Sequence, residues 1–133
     1  MKKYKFKFDK LVRDNISNIL QNSQISVVER TLFGEDLIIS LKNKLIEESS
    51  ELKSAFGKDL VIEELADVLE VFNSLLKSLN ITLDQVEQCR REKLLKNGGF
   101  ESQNYIDYIE IEESNPILEK YISNPAKYCL IEE

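Results

Sequence analysis

From Glu35 to Asn97 the apolar residues recur with a helical period, and the pattern breaks only briefly, at 57–58 and at 80–81. Breaks that short make antiparallel neighbours of the helices they join. The first long helix carries Leu37, Leu41, Leu45, Leu52 and Phe56 along one stripe, followed by Gly57 as a candidate C-cap. Asp59 is placed to cap the second, whose Val61, Leu65, Val68, Leu69, Phe72, Leu76 and Leu79 form a broad apolar face ending at Asn80. Thr82-Leu-Asp-Gln85 reads as a capping box, opening a third helix through Val86, Cys89 and Leu94 that stops at Asn97-Gly98-Gly99. Upstream, residues 2–8 alternate lysine with Tyr4, Phe6 and Phe8, and residues 25–32 are rich in β-branched side chains, so a minor strand pair is expected there. Between them Leu11, Val12, Ile16, Ile19 and Leu20 keep helical spacing, with Asp9 as the N-cap. The expected fold is an all-α antiparallel bundle, completed by dimerisation because such broad apolar arcs leave surface to cover.

Composition removes whole classes of chemistry. Four glycines and two prolines in 133 residues disfavour a β-fold built from tight turns. Histidine is absent, which excludes Ser-His-Asp and Cys-His machinery, HExxH zinc sites and Glu-x-x-His di-iron ligands. Proton transfer near neutral pH then falls to a carboxylate, a lysine, a tyrosine or a metal-bound water. Cys89 and Cys129 are too few for a zinc site or a disulfide framework, and a reducing cytoplasm is the expected setting. A net charge of −6 argues against a nucleic-acid surface. No apolar stretch approaches the roughly 20 residues of a membrane span, so no membrane partner is expected. The basic amino terminus lacks the continuous apolar core of a signal peptide.

The informative residues are acids that stand where leucines belong. At about 100° per residue, Glu48 falls inside the stripe of Leu41, Leu45 and Leu52, and Glu51 lies on its edge. In the next helix Glu64 borders the apolar arc and Asp67 follows one turn on. Each helix thus offers two carboxylates at spacing i,i+3, and antiparallel packing lets the two pairs face each other. Four like charges in one cleft repel by several kcal/mol unless protonated or bridged by a dication. An all-carboxylate set suits Mg²⁺ or Mn²⁺ better than zinc or copper, and Mg²⁺ held this way completes its shell with water and substrate phosphates. Hydrolysis of a phosphoanhydride by water is the chemistry this favours. Glu47, one turn from Glu51, and Glu51 itself are the candidate general bases; Glu63 and Glu70 read as surface residues.

Basic residues flank the acids. Lys10 and Arg13 are spaced i,i+3, and a forked guanidinium matches phosphate oxygens. Lys93 lies near the end of the third long helix, where the macrodipole also favours a cation. Gly98-Gly99-Phe100 reads as a helix stop with a hydrophobic clasp.

The ordered strings Lys10-Leu-Val-Arg13-Asp14, Lys44-Leu-Ile-Glu47-Glu48-Ser-Ser-Glu51, Glu63-Glu64-Leu-Ala-Asp67-Val-Leu-Glu70-Val71 and Lys93-Leu-Leu-Lys96-Asn97-Gly98-Gly99-Phe100 carry a resemblance. The chain resembles the MazG-like all-α nucleoside triphosphate pyrophosphohydrolases, in particular the small phosphoribosyl-ATP pyrophosphohydrolase-like branch, over residues 9–100. Asn97 departs from the basic residue often found before the glycines, which puts phosphate contacts at that end in doubt. The resemblance implies a metal-dependent enzyme that cleaves a nucleoside triphosphate between the α and β phosphates, working as a homodimer or homotetramer. It implies Glu48, Glu51, Glu64 and Asp67 as Mg²⁺ ligands, with Arg13, Lys93 and Lys10 on the substrate. A pyrophosphohydrolase domain over 1–100 is expected, with an acidic extension over 101–133 that packs on the domain or on a partner subunit; its eight acids and two bases show no clean period. The rival readings are hydrolysis of phosphoribosyl-ATP in histidine biosynthesis or of a polyphosphorylated signalling nucleotide, a non-catalytic helical interaction module, and a metal site that only holds the bundle together.

Overall fold

In a computed structural model that describes residues 1–132, the chain is helical, with no strand among the described residues. Five helices follow one another: α1 (Ile16–Asn22), α2 (Gly34–Ser54), α3 (Lys58–Leu79), α4 (Leu83–Asn97) and α5 (Leu118–Ile122). The chain divides into two compact units, Met1–Leu95 and Lys96–Glu133, with the division inside the last turn of α4.

The first unit is organised by α2 and α3, which pack along their length. Glu35 and Asp36 in the first turn of α2 and Lys53 in its last suit the helix dipole. The connection is only three residues long, so the two helices run antiparallel. Gly57 caps no C-terminus, contrary to expectation: α2 ends earlier, with Ala55 already extended. Gly57 instead takes φ 85°, a left-handed conformation suited to glycine, and its carbonyl accepts the first helical bond of α3 from Val61 N–H at 3.1 Å. Asp59 therefore lies within the first turn of α3 and not at its cap. At the far end Asn80 is left-handed, and the Ile81 N–H donates to Leu76 O at 2.9 Å while Asn80 N–H donates to Lys77 O at 3.3 Å. That pair of bonds is a Schellman closure. The capping box at 82–85 forms as expected: Thr82 N–H donates to Gln85 Oε1 at 2.8 Å, and Gln85 N–H to Thr82 Oγ1 at 3.2 Å.

The expected strand pair is absent. Tyr4, Phe6 and Phe8 alternate as the pattern required, but all three are exposed, and the backbone of residues 2–8 joins no strand. Alternation describes which way side chains point; a strand also needs a partner for its backbone groups. The first helix is shorter and later than expected, beginning at Ile16, and Asp9 is no N-cap but sits at φ 48°. Residues 10–13 are not helical, and within them Lys10 pairs with Glu47 of α2 and Arg13 with Asp67 of α3.

The core is small. Among the described residues only Leu41, Val71 and Glu48 are buried. Leu41 and Val71 stand equally far along the chain from Phe56, as do Glu48 and Glu64, so one antiparallel register sets both the apolar layer and the acidic one. In the second unit, Tyr121 and Tyr128 pack with ring centroids 4.4 Å apart beside the single turn of α5.

Candidate metal centre

Glu48 projects from the fourth turn of α2, on the face that carries Leu41, into the layer between the helices. Only 7% of it is exposed. Its Oε1 lies 3.5 Å from Lys44 Nζ, one turn earlier, while its Oε2 is buried with no hydrogen-bond partner. Across the interface Glu64 of α3 also has a buried Oε2 without a partner. Glu51 is exposed at the rim. One carboxylate oxygen from each of Glu48, Glu51 and Glu64 lies within 4.8 Å of the others.

Buried carboxylate oxygens without donors are costly, and like-charged neighbours make them more so. Burial above all, then the adjacent Glu51 carboxyl, pushes the Glu48 carboxyl above its ordinary value; Lys44 pulls it partly back, and Asp67 adds to the rise. The donor set fits a hard divalent cation. Oxygens on one octahedral ion at about 2.1 Å stand roughly 3–4 Å apart, somewhat closer than the 4.8 Å within which these three lie.

Asp67 is held differently. Its Oδ1 accepts from Arg13 Nη2 at 2.5 Å, so one oxygen of the fourth expected ligand is paired with a guanidinium. Glu47 is also engaged, accepting from Lys10 at 3.2 Å and from Lys44 at 3.3 Å. Partial burial raises the Glu47 carboxyl, but the two lysine hydrogen bonds outweigh it and leave the group below its ordinary value.

A cavity of about 270 Å³ opens beside these groups, lined by Phe8, Lys10, Arg13, Lys44, Glu48 and Asp67 among others. Of the substrate-binding residues read from the sequence, Lys10 and Arg13 are brought to this cavity. Lys93 is exposed on α4 and lines neither this cavity nor a smaller one beside Glu47. Two residues missed by sequence reasoning belong here. Lys44 bridges Glu47 and Glu48, and its signal was present, since it stands i,i+3 and i,i+4 from them. Phe8 left no such signal, because its alternation with lysine read as a strand.

Comparison with protein-family models, with curated proteins and with solved structures gives no match to this chain.

Proposed function

We propose that the chain is a metal-dependent nucleoside triphosphate pyrophosphohydrolase, cleaving the α–β phosphoanhydride to a monophosphate and pyrophosphate in the manner of the MazG-like enzymes it resembles. The observation that carries the reading is the pair of buried, donor-free oxygens on Glu48 and Glu64, converging with Glu51. Surface acids on helices do not bury unpartnered oxygens against one another, because nothing repays their desolvation. A bound Mg²⁺ or Mn²⁺ would supply that compensation and polarise the phosphate it touches.

The residues of the chain divide the remaining work. Glu48, Glu51 and Glu64 hold the ion, with Asp67 as a fourth ligand. Lys10, Arg13 and Lys44 face the cavity and bind phosphate oxygens. That cavity is below the roughly 300–1,000 Å³ that encloses a whole drug-sized ligand, so it suits the phosphate end of a nucleotide. Glu47 and Glu51 stay the two candidate bases: two lysines hold Glu47 as an anion, and the ion would draw on Glu51 in the same way. The attacking water would give its proton to one of these carboxylates as its oxygen bonds to the α phosphorus, and pyrophosphate leaves.

The same reading includes assembly. On α3, Ile62, Leu65 and Leu69 form an apolar stripe beside the inward face, 53%, 49% and 57% exposed. A second copy covering that stripe would complete the bundle. A role for Lys93 at the substrate belongs to that assembly.

The test is a panel of nucleoside triphosphates, phosphoribosyl-ATP included, incubated with Mg²⁺, with pyrophosphate and orthophosphate resolved. Mg²⁺-dependent pyrophosphate is the expected product, lost in Glu48→Ala while the fold survives. Orthophosphate alone rejects α–β cleavage. A melting temperature that follows Mg²⁺ with no turnover assigns the ion to holding the hairpin together.

A further inference from the structure

Asp67 and a phosphate group compete for one guanidinium. Arg13 donates to Asp67 at 2.5 Å, and its side chain is 56% exposed on a segment that belongs to no helix. It can therefore leave without disturbing a packed element. Asp67 lines the same cavity as Glu48 but is missing from the three carboxylates that already converge. A guanidinium on Oδ1 of Asp67 lowers the carboxylate's value as a metal ligand, because it neutralises part of the negative charge that a dication would draw on and fixes one of its two oxygens.

We infer that Arg13 is a latch on the metal centre: it occupies Asp67 in the nucleotide-free protein and moves to a phosphate of the arriving substrate, which releases Asp67 to join Glu48, Glu51 and Glu64. This rests on the metal-dependent reading above and adds a sequence to it. The site rests with three converging acids and becomes a four-carboxylate site once a polyphosphate has drawn Arg13 away. Arg13 in this role is a positioning residue, acting on the ion through Asp67.

A double-mutant cycle on Mn²⁺ affinity, measured by paramagnetic resonance in the full chain without nucleotide, tests it. Arg13→Gln is expected to tighten Mn²⁺ by about fivefold, the upper range for breaking an exposed ion pair. Asp67→Asn alone should change Mn²⁺ affinity less than twofold, since Arg13 already holds that carboxylate. In the Arg13→Gln background the same substitution should cancel the whole gain. Arg13→Lys, which keeps the charge, should stay near wild type. Simple removal of a positive charge would make Asp67→Asn equally costly in both backgrounds, and that result overturns the latch. So does an unchanged Mn²⁺ affinity in Arg13→Gln when the wild type binds. Absence of Mn²⁺ binding in every variant overturns the metal-dependent reading itself.

Discussion

Glu48 occupies the position where a leucine would complete the layer begun by Leu41, and the protein bears that cost without a local donor for one of its oxygens. In metal-free protein Glu48→Gln should stabilise the fold by about 1–2 kcal/mol, since it removes an ionisable group from an apolar layer. Chemical denaturation in excess chelator measures this. The pH dependence has a fixed sign. A carboxyl whose folded value is raised binds its proton more tightly in the folded state, so its ionisation weakens the fold as pH rises from the ordinary value of 4.5 through the raised one. Metal-free wild type should therefore lose stability relative to Glu48→Gln across that window, and added Mg²⁺ should remove the difference. Thermal melts at half-unit pH steps distinguish this from a difference that is flat with pH. The sequence made Glu48 conspicuous because a charge broke an apolar stripe; it did not reveal that Lys44 leans on one oxygen while the other is buried without a donor. Which atom of a carboxylate lacks a partner is decided by packing, which no spacing encodes.

At the scale of elements, α2 and α3 were legible because each combines a long apolar period with explicit punctuation. α4 was legible by its punctuation alone: it buries no residue, and among the described residues only α2 and α3 pack extensively on each other, not α3 and α4 as the short break at 80–81 predicts. Asn80 and the Thr82–Gln85 box stopped and restarted the chain where expected, through closures that involve only near neighbours in sequence. Gly57 was misplaced by its proximity to Phe56: a glycine after an apolar stripe reads as a C-cap, whereas here it opens α3. The N-terminal segment failed for a deeper reason. Residues 10–13 are held by Glu47 and Asp67, which lie 37 and 54 residues away, and local pattern carries no trace of such pairings. Thr82→Ala should cost about 1 kcal/mol through the lost cap. Leu41→Ala should cost about 2–3 kcal/mol, the low end for a buried leucine, because its surroundings are only half-buried and can relax. Urea denaturation ranks the two.

For the whole molecule, the decisive quantity is unburied apolar surface. Leu41 and Val71 are the only buried apolar residues among those described, too few to stabilise a domain of this length alone. The sequence announced the breadth of the α3 arc but not how it divides between the inward face and the stripe at Ile62, Leu65 and Leu69. If the proposed assembly forms, replacing Leu65 and Leu69 together with glutamate should convert it to monomer, and lower the melting temperature, while leaving the helical content of α2 and α3 in place. Sedimentation velocity with circular dichroism measures both. A monomeric wild type of unchanged stability would remove assembly from the account.

Convergence of acids from α2 and α3 on a hard dication is the claim on which the rest depends. Calorimetric titration of Mn²⁺ into chelator-stripped wild type, Glu48→Gln and Glu70→Gln tests it most directly. The account predicts saturable binding in wild type, the same in the surface variant Glu70→Gln, and at least about tenfold weaker binding in Glu48→Gln. Equal titration curves for Glu48→Gln and Glu70→Gln would contradict it.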